Sequence, residues 1–276
     1  MGEGLNRVQT VSRIALRFAQ LKSTQRKALI PFITAGDPSL EATVPVMHAL
    51  VAAGADVIEL GVPFSDPMAD GPVIQRSSEQ ALRRGAGLRY VLQAVAEFRQ
   101  RDADTPVVLM GYLNPIEIHG DRRFAEEAAQ AGVDGVLLVD LPPEEAAQTR
   151  EIFTGHGLDL IALAAPTTTA ERMAMLCESA QGYLYYVSFA GVTGAGHLDA
   201  QAASGRLHAL RAQSPVPVVA GFGIKDAASA AAMAVEADGV VVGSALVACL
   251  AEAGTAGEAV SRAAAFLAPL RQALDG

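Results

Sequence analysis

The sequence predicts a single (β/α)8 TIM barrel, and three observations predict it. Eight short apolar runs recur along 276 residues, a length within the range of one such barrel. Each run is followed by a loop and then an Ala-rich stretch of helical pattern, and strands alternating with helices at this spacing pair in parallel through right-handed crossovers. No low-complexity linker divides the chain, so residues 1–276 read as one domain. The competing architecture, a doubly wound open sheet, needs fewer strands than these runs supply.

The elements follow in order. Val11, Ile14, Phe18 and Leu21 repeat at helical spacing with Arg13, Arg17 and Gln20 between them, which predicts a leading helix within residues 1–27 that lays one face on the body of the fold. The eight runs are 28–34, 57–61, 106–111, 135–139, 158–164, 184–188, 216–220 and 239–242. The longest gap lies between the second and third, and residues 88–101 fill it with an extra helix. Cap chemistry marks helix starts: Asp37-Pro38 sets a cap before a first-turn proline, Pro142-Pro143-Glu144-Glu145 puts acids in a first turn, and Thr168 to Glu171 fits a capping box.

Composition excludes several classes of function. Hydrophobic residues make up 51% of the chain, enough for a full core, and the formal charge is −9. Basic residues come at most in pairs such as Arg83-Arg84 and Arg122-Arg123, which argues against a nucleic-acid partner. The longest apolar stretch, residues 239–251, is shorter than the roughly 20 residues a bilayer span needs, and Gly243-Ser244 interrupts it with a turn signal. The start lacks a signal-peptide hydrophobic region, and Asn6 stands where a myristoylation motif wants Ser or Thr, so a cytoplasmic location is expected. Cys177 and Cys249 have neither metal nor redox spacing and read as reduced, buried, small hydrophobes.

The chemistry centres on residues 58–71, Ile-Glu-Leu-Gly-Val-Pro-Phe-Ser-Asp-Pro-Met-Ala-Asp-Gly. Strand alternation puts Val57, Glu59 and Gly61 on one face and Ile58 and Leu60 on the other. If helices cover Ile58 and Leu60, Glu59 points into the enclosed space, where desolvation raises its pKa toward neutrality. A proline-punctuated loop then carries Asp70 back over the strand end, and two carboxylates in different environments suit an acid/base pair. The competing reading is an ion-paired Glu59 with Asp66 and Asp70 merely capping turns.

The site of such a barrel lies at the C-terminal ends of its strands. That rule selects Tyr112 and Asn114 after the third strand, Asp140 after the fourth, Tyr185 on the sixth, Gly221-Phe222-Gly223 after the seventh and Gly243-Ser244 after the eighth. Glycines in the last two loops, with a helix start at Ser244, predict a phosphate site. Residues 190–200 read either as a lid or as a plain connection. The five histidines, His48, His119, His156, His197 and His208, do not cluster and each reads as a surface residue. Lys22, Lys27 and Lys225 are the only lysines and none falls within a strand run, which argues against Schiff-base chemistry. No metal-ligand cluster is visible either. With neither a strand lysine nor a ligand cluster, proton transfer in this chain would have to run on carboxylates.

These strings, with Pro31-Phe32-Ile33-Thr34-Ala35-Gly36-Asp37-Pro38, Asp140-Leu141-Pro142 and residues 185–194, resemble the tryptophan synthase alpha chain family over nearly all of the sequence from Ala28 onward. The resemblance implies a (β/α)8 barrel and a metal-free lyase that cleaves indole-3-glycerol phosphate to indole and glyceraldehyde 3-phosphate. It implies that Glu59 moves protons at the glycerol hydroxyl and the indole ring, and that Asp70 binds the indole N–H. Tyr185 then corresponds to a pocket tyrosine, and Thr193 to a loop residue that closes on Asp70. Gly194, Gly223, Gly243 and Ser244 hold the phosphate, while Phe32, Tyr112, Leu137 and Phe222 line the indole slot or serve as plain barrel packing. Phe189 replaces a basic residue of some relatives at the root of loop six. The family works with a beta chain that carries pyridoxal phosphate and receives the indole, in an alpha2-beta2 tetramer, so no cofactor is expected in this chain. Asp66, Pro67 and Asn114-Pro115 match segments near that interface. Another phosphate-binding isomerase or epimerase, and a non-catalytic regulatory subunit, are the competing readings of the same sequence.

Overall fold

Eight parallel strands pair in chain order and close into a barrel: β1 (Ala28–Thr34), β2 (Ile58–Gly61), β3 (Val107–Gly111), β4 (Gly135–Leu138), β5 (Asp159–Ala164), β6 (Leu184–Val187), β7 (Val218–Gly221) and β8 (Gly239–Val242). The computed structural model describes residues 12–187, 205, 207–221 and 223–276. All eight expected runs are strands, and closure comes from β8 pairing with β1, Ala28 opposite Gly239 and Pro31 opposite Val242. Alternation sorts each strand into two faces. Ala28, Ile30, Val57, Val108, Leu137, Ile161, Val219 and Val241 fill the interior. Leu29, Ile33, Ile58, Leu60, Val107 and Leu109 pack outward against the helices.

The helices are α1 (Arg13–Ser23), α2 (Thr43–Ala52), α3 (Pro72–Arg83), α4 (Leu88–Arg99), α5 (Leu113–His119), α6 (Asp121–Ala131), α7 (Ala147–Gly155), α8 (Ala170–Glu178), α9 (Ala227–Glu236), α10 (Ser244–Ala251) and α11 (Ala256–Asp275). Residues 207–213 are also helical. The extra helix expected after the second strand is α4. A second helix after β3, α5, was not legible, because Asn114-Pro115 reads as loop chemistry although Pro fits a first helical turn. Among the described residues, no helix is long and apolar enough to cross a membrane.

The leading helix does more than lie on the body of the fold. Ile14, Phe18 and Leu21 join the cluster inside the barrel, so α1 closes the floor formed by the N-terminal strand ends. Val11 lies outside the described residues. Polar bonds fix the helix start: Ser12 Oγ donates to Asp159 at 2.8 Å and Arg13 Nη1 to Asp134 at 2.8 Å.

Three cap expectations need correction. Asp37-Pro38 does not open a helix; a 3-10 turn at Leu40–Ala42 precedes α2, which starts at Thr43. Asp37 instead accepts from Ser77 at 2.7 Å and Arg84 at 2.7 Å. Glu144 and Glu145 lie in a turn ahead of α7, with Glu144 paired to Arg172 at 2.6 Å. The cap of α8 is Thr169, which accepts from the Arg172 amide, while Thr168 accepts from Ala165. A capping box does occur, at Asp226 and Ser229 on α9. Adjacent hydroxyls and prolines each satisfy the cap pattern, and only the backbone path chooses between them.

Candidate active site

Glu59 lies on the inward face of β2, between Val57 and Gly61, at 0% exposure. Its register neighbours are Phe32 on β1 and Val108 on β3, both apolar. The Tyr183 hydroxyl donates to Oε1 at 2.6 Å, and Oε2 has no hydrogen-bond partner. Burial pushes the carboxyl up to about 7, while the Tyr183 bond pulls in the opposite direction. An acid in this state holds and releases protons near neutral pH. Among the described residues the Glu59 carboxyl meets the Tyr183 hydroxyl and no Arg or Lys, so the alternative of an ion-paired Glu59 is set aside.

Tyr183 is the residue that a reading of the sequence misses. It precedes β6 by one position and shares the inward face with Tyr185, four strands around the barrel from Glu59. The signal was present, since Tyr183 and Tyr185 alternate, but the apolar run as read begins at Leu184. Burial first, then the Glu59 charge, holds the Tyr183 phenol well above its ordinary range, so it stays a donor. Tyr185 also faces inward, and the same causes hold its phenol high. Its hydroxyl lies over Gly221, where a Cβ would collide with it.

Gly61 has the same logic. A Cβ there would come within 2.6 Å of the Phe32 ring, so glycine lets Phe32 lie across the inward face directly above Glu59. Beside it Thr34, paired with Gly61, is buried with an Oγ1 that has no partner. Thr34 is a second residue that the sequence did not single out. Leu137 packs inside the barrel among Val108 and Ile161.

Asp70 is half-buried in the loop that follows β2. Tyr112 ties it down: the phenol donates to Asp70 Oδ2 at 3.1 Å and accepts from the Ala69 amide at 2.9 Å. The Phe64 and Tyr112 rings lie 5.1 Å apart, and Gln75 donates to the Asp70 carbonyl at 2.8 Å. Burial raises the Asp70 carboxyl, and the Tyr112 bond opposes that rise. Tyr112 was expected at the end of the third strand, as a wall of an apolar slot or as barrel packing, and its hydroxyl also organises the loop. The two acids are thus held by two different tyrosines.

The other expected residues distribute as follows. Gly243 precedes α10 and Ser244 is its exposed first residue, so the expected helix start is present at the end of β8. Gly223 follows β7 and is exposed. Asp140 accepts from the Leu113 amide at 2.8 Å, linking the loops after β3 and β4, while Asn114 is exposed on α5. Thr193, Gly194, Phe189, His197 and Phe222 lie outside the described residues. Among the described residues, no group of three metal-ligating side chains forms. Cys177 is buried and Cys249 half-buried, both as free thiols. His208 is exposed, but His48, His119 and His156 are half-buried rather than on the surface, and His48 packs on Phe98 with ring centroids 4.7 Å apart.

A closed parallel barrel, with an acid of pKa about 7 inside its strands and a second acid in the next loop, defines a class of barrel enzymes suited to carboxylate proton transfer. Residues 18–274 match the family model of the tryptophan synthase alpha chain. Tryptophan synthase alpha chains from Xanthomonas oryzae pv. oryzae (strain MAFF 311018) and Xanthomonas axonopodis pv. citri (strain 306) are 78% and 77% identical over 264 residues, 95% of this chain and 98% of each relative. The crystal structure of tryptophan synthase subunit alpha from Legionella pneumophila str. Paris has a TM-score of 0.89 at 48% identity, covering 96% of this chain and 99% of that one. A ligand-free tryptophan synthase structure from M. tuberculosis has a TM-score of 0.86 at 38% identity, with 96% and 100% covered. The chain belongs to the tryptophan synthase alpha chain family. It is a carbon–carbon lyase of tryptophan biosynthesis, and the family reaction is reverse-aldol cleavage of indole-3-glycerol phosphate to indole and glyceraldehyde 3-phosphate, carried out without a cofactor in the alpha chain.

Proposed function

We propose that Glu59 and Asp70 carry the cleavage of indole-3-glycerol phosphate in this chain. The observation that supports this most is Glu59 itself, an enclosed carboxyl with a pKa of about 7 and one oxygen without a partner. Glu59 in its protonated form delivers a proton to the indole at C3, which makes the ring an electron acceptor and leaves the carboxylate free to act as base. Glu59 takes the proton of the glycerol hydroxyl on the carbon attached to C3, and the carbon–carbon bond breaks. Its electron pair moves into the ring, the oxygen becomes the aldehyde of glyceraldehyde 3-phosphate, and indole leaves. One proton enters at C3 and one leaves the hydroxyl, so the step is neutral overall. Asp70, accepting from the ring N–H, stabilises the positive charge that develops there.

In this reading Phe32, Leu137, Tyr185 and Phe222 bound the indole, with Tyr112 fixing Asp70 beside it. Gly223, Gly243 and Ser244 meet the phosphate at the start of α10, where free amides favour an anion. Thr193 and Gly194 close over the site. The indole passes to a pyridoxal-phosphate-bearing beta chain in an alpha2-beta2 tetramer in the cytoplasm. Met68 and Ile118 support a docking surface there, because they expose 85% and 80% of their surface on the loop after β2 and on α5, near Asp66, Pro67 and Asn114-Pro115.

The test is indole release from indole-3-glycerol phosphate by wild type and Glu59→Gln, with and without added beta chain. A loss of about a thousandfold in Glu59→Gln is expected. Equal rates for the two proteins would defeat the assignment.

A further inference from the structure

The donor that holds Glu59 is itself held from below. Tyr183 is fully buried, and its ring faces Phe18 of α1 with centroids 5.9 Å apart and planes inclined at 46°. Phe18 belongs to the apolar stripe that closes the barrel floor together with Ile14 and Leu21. A chain of contacts therefore runs from the leading helix through two aromatic rings to Oε1 of Glu59.

We propose that Tyr183 is a positioning residue for the acid of the cleavage, and that Phe18 seats Tyr183, so that the leading helix sets the acid strength and aim of Glu59 from the opposite end of the barrel. The proposal rests on the reading of Glu59 given above. Several observations carry it. The Tyr183 bond occupies Oε1 and leaves Oε2 without a partner, so a single oxygen is free to exchange a proton with a ligand above it. Tyr183 stays protonated, because burial and the Glu59 charge suppress its ionisation, so its hydroxyl is available to donate to the ionised carboxylate. A donor to a carboxylate favours the ionised form, so this bond restrains the rise that burial imposes. The other titratable group facing Glu59 among the described residues is Tyr185, also neutral, while Phe32 and Val108 flank it without charge.

The experiment measures two quantities on the full chain: the pH dependence of kcat/KM, and the titration of the Glu59 carboxyl by difference infrared spectroscopy with Glu59→Gln as the blank. Wild type, Tyr183→Phe and Phe18→Leu are compared. Tyr183→Phe removes one oxygen and keeps the ring, so the fold is retained. Loss of the donor moves both the acidic limb and the infrared titration upward by about one pH unit, the scale of a hydrogen bond to a charged group. Phe18→Leu moves both in the same direction by less. A side chain with a purely structural role would lower Tm and leave the titration in place. An unchanged infrared titration in Tyr183→Phe overturns the positioning role, and an unchanged titration in Phe18→Leu overturns the part played by the helix. If Glu59→Gln cleaves at the wild-type rate, the catalytic reading fails, yet the infrared titration still decides whether Tyr183 and Phe18 govern the carboxyl.

Discussion

Tyr112 donates to Asp70 at 3.1 Å while accepting from the Ala69 amide at 2.9 Å, so one phenol on the barrel rim fixes both the side chain and the backbone of the acid-bearing loop. Removing that oxygen frees the loop without opening a cavity. Tyr112→Phe is expected to lower kcat/KM about tenfold, the worth of one charge-assisted hydrogen bond. The Asp70 carboxyl, deprived of the bond that opposes burial, titrates higher. Steady-state kinetics with a parallel thermal melt check this; an unchanged kcat/KM shows that the loop is held by other contacts.

Glu59 also shapes stability. Its pKa in the fold is about 7, against about 4.3 for an unfolded glutamate. The folded chain thus binds the extra proton between these values, and the group's contribution is fully present below the unfolded pKa and lost as pH rises through the folded one. Wild type should therefore lose up to about 3 kcal/mol relative to Glu59→Gln between pH 4 and 8. Denaturant unfolding of both proteins across that range measures it. Parallel curves would show that Glu59 is not desolvated as described.

Ser244 offers a test of the anion reading. It is the exposed first residue of α10, behind Gly243. A carboxylate there would repel a phosphate at the same amides. Ser244→Asp is expected to raise KM for indole-3-glycerol phosphate by about tenfold or more and to change kcat little. A KM equal to that of wild type would place the phosphate elsewhere.

The fold was legible because alternation and periodicity are local. The run at residues 239–242 became β8 with the same bounds, and Ile58 and Leu60 face the helices as their spacing required. Glu59 was legible for the same reason, since an acid between Val57 and Gly61 has only one side of the strand to occupy. Cap positions at Asp37 and Thr168 were not, because neighbouring residues meet the same local pattern and the wider backbone path selects among them.

The sequence by itself determined the order of the elements, the inward aim of Glu59, the loop that carries Asp70, and the family. Tertiary structure alone decided which groups meet these acids. Tyr183 is 124 residues from Glu59, Tyr112 is 42 from Asp70, and Phe18 comes from a helix that precedes the barrel. The Tyr112 bond depends on β2 and β3 pairing side by side, while those of Tyr183 and Phe18 depend on closure of the barrel, which brings β2 opposite β6 and seats α1 in its floor. No local pattern encodes a hydrogen bond across that interior, whereas burial and strand alternation are written in each run.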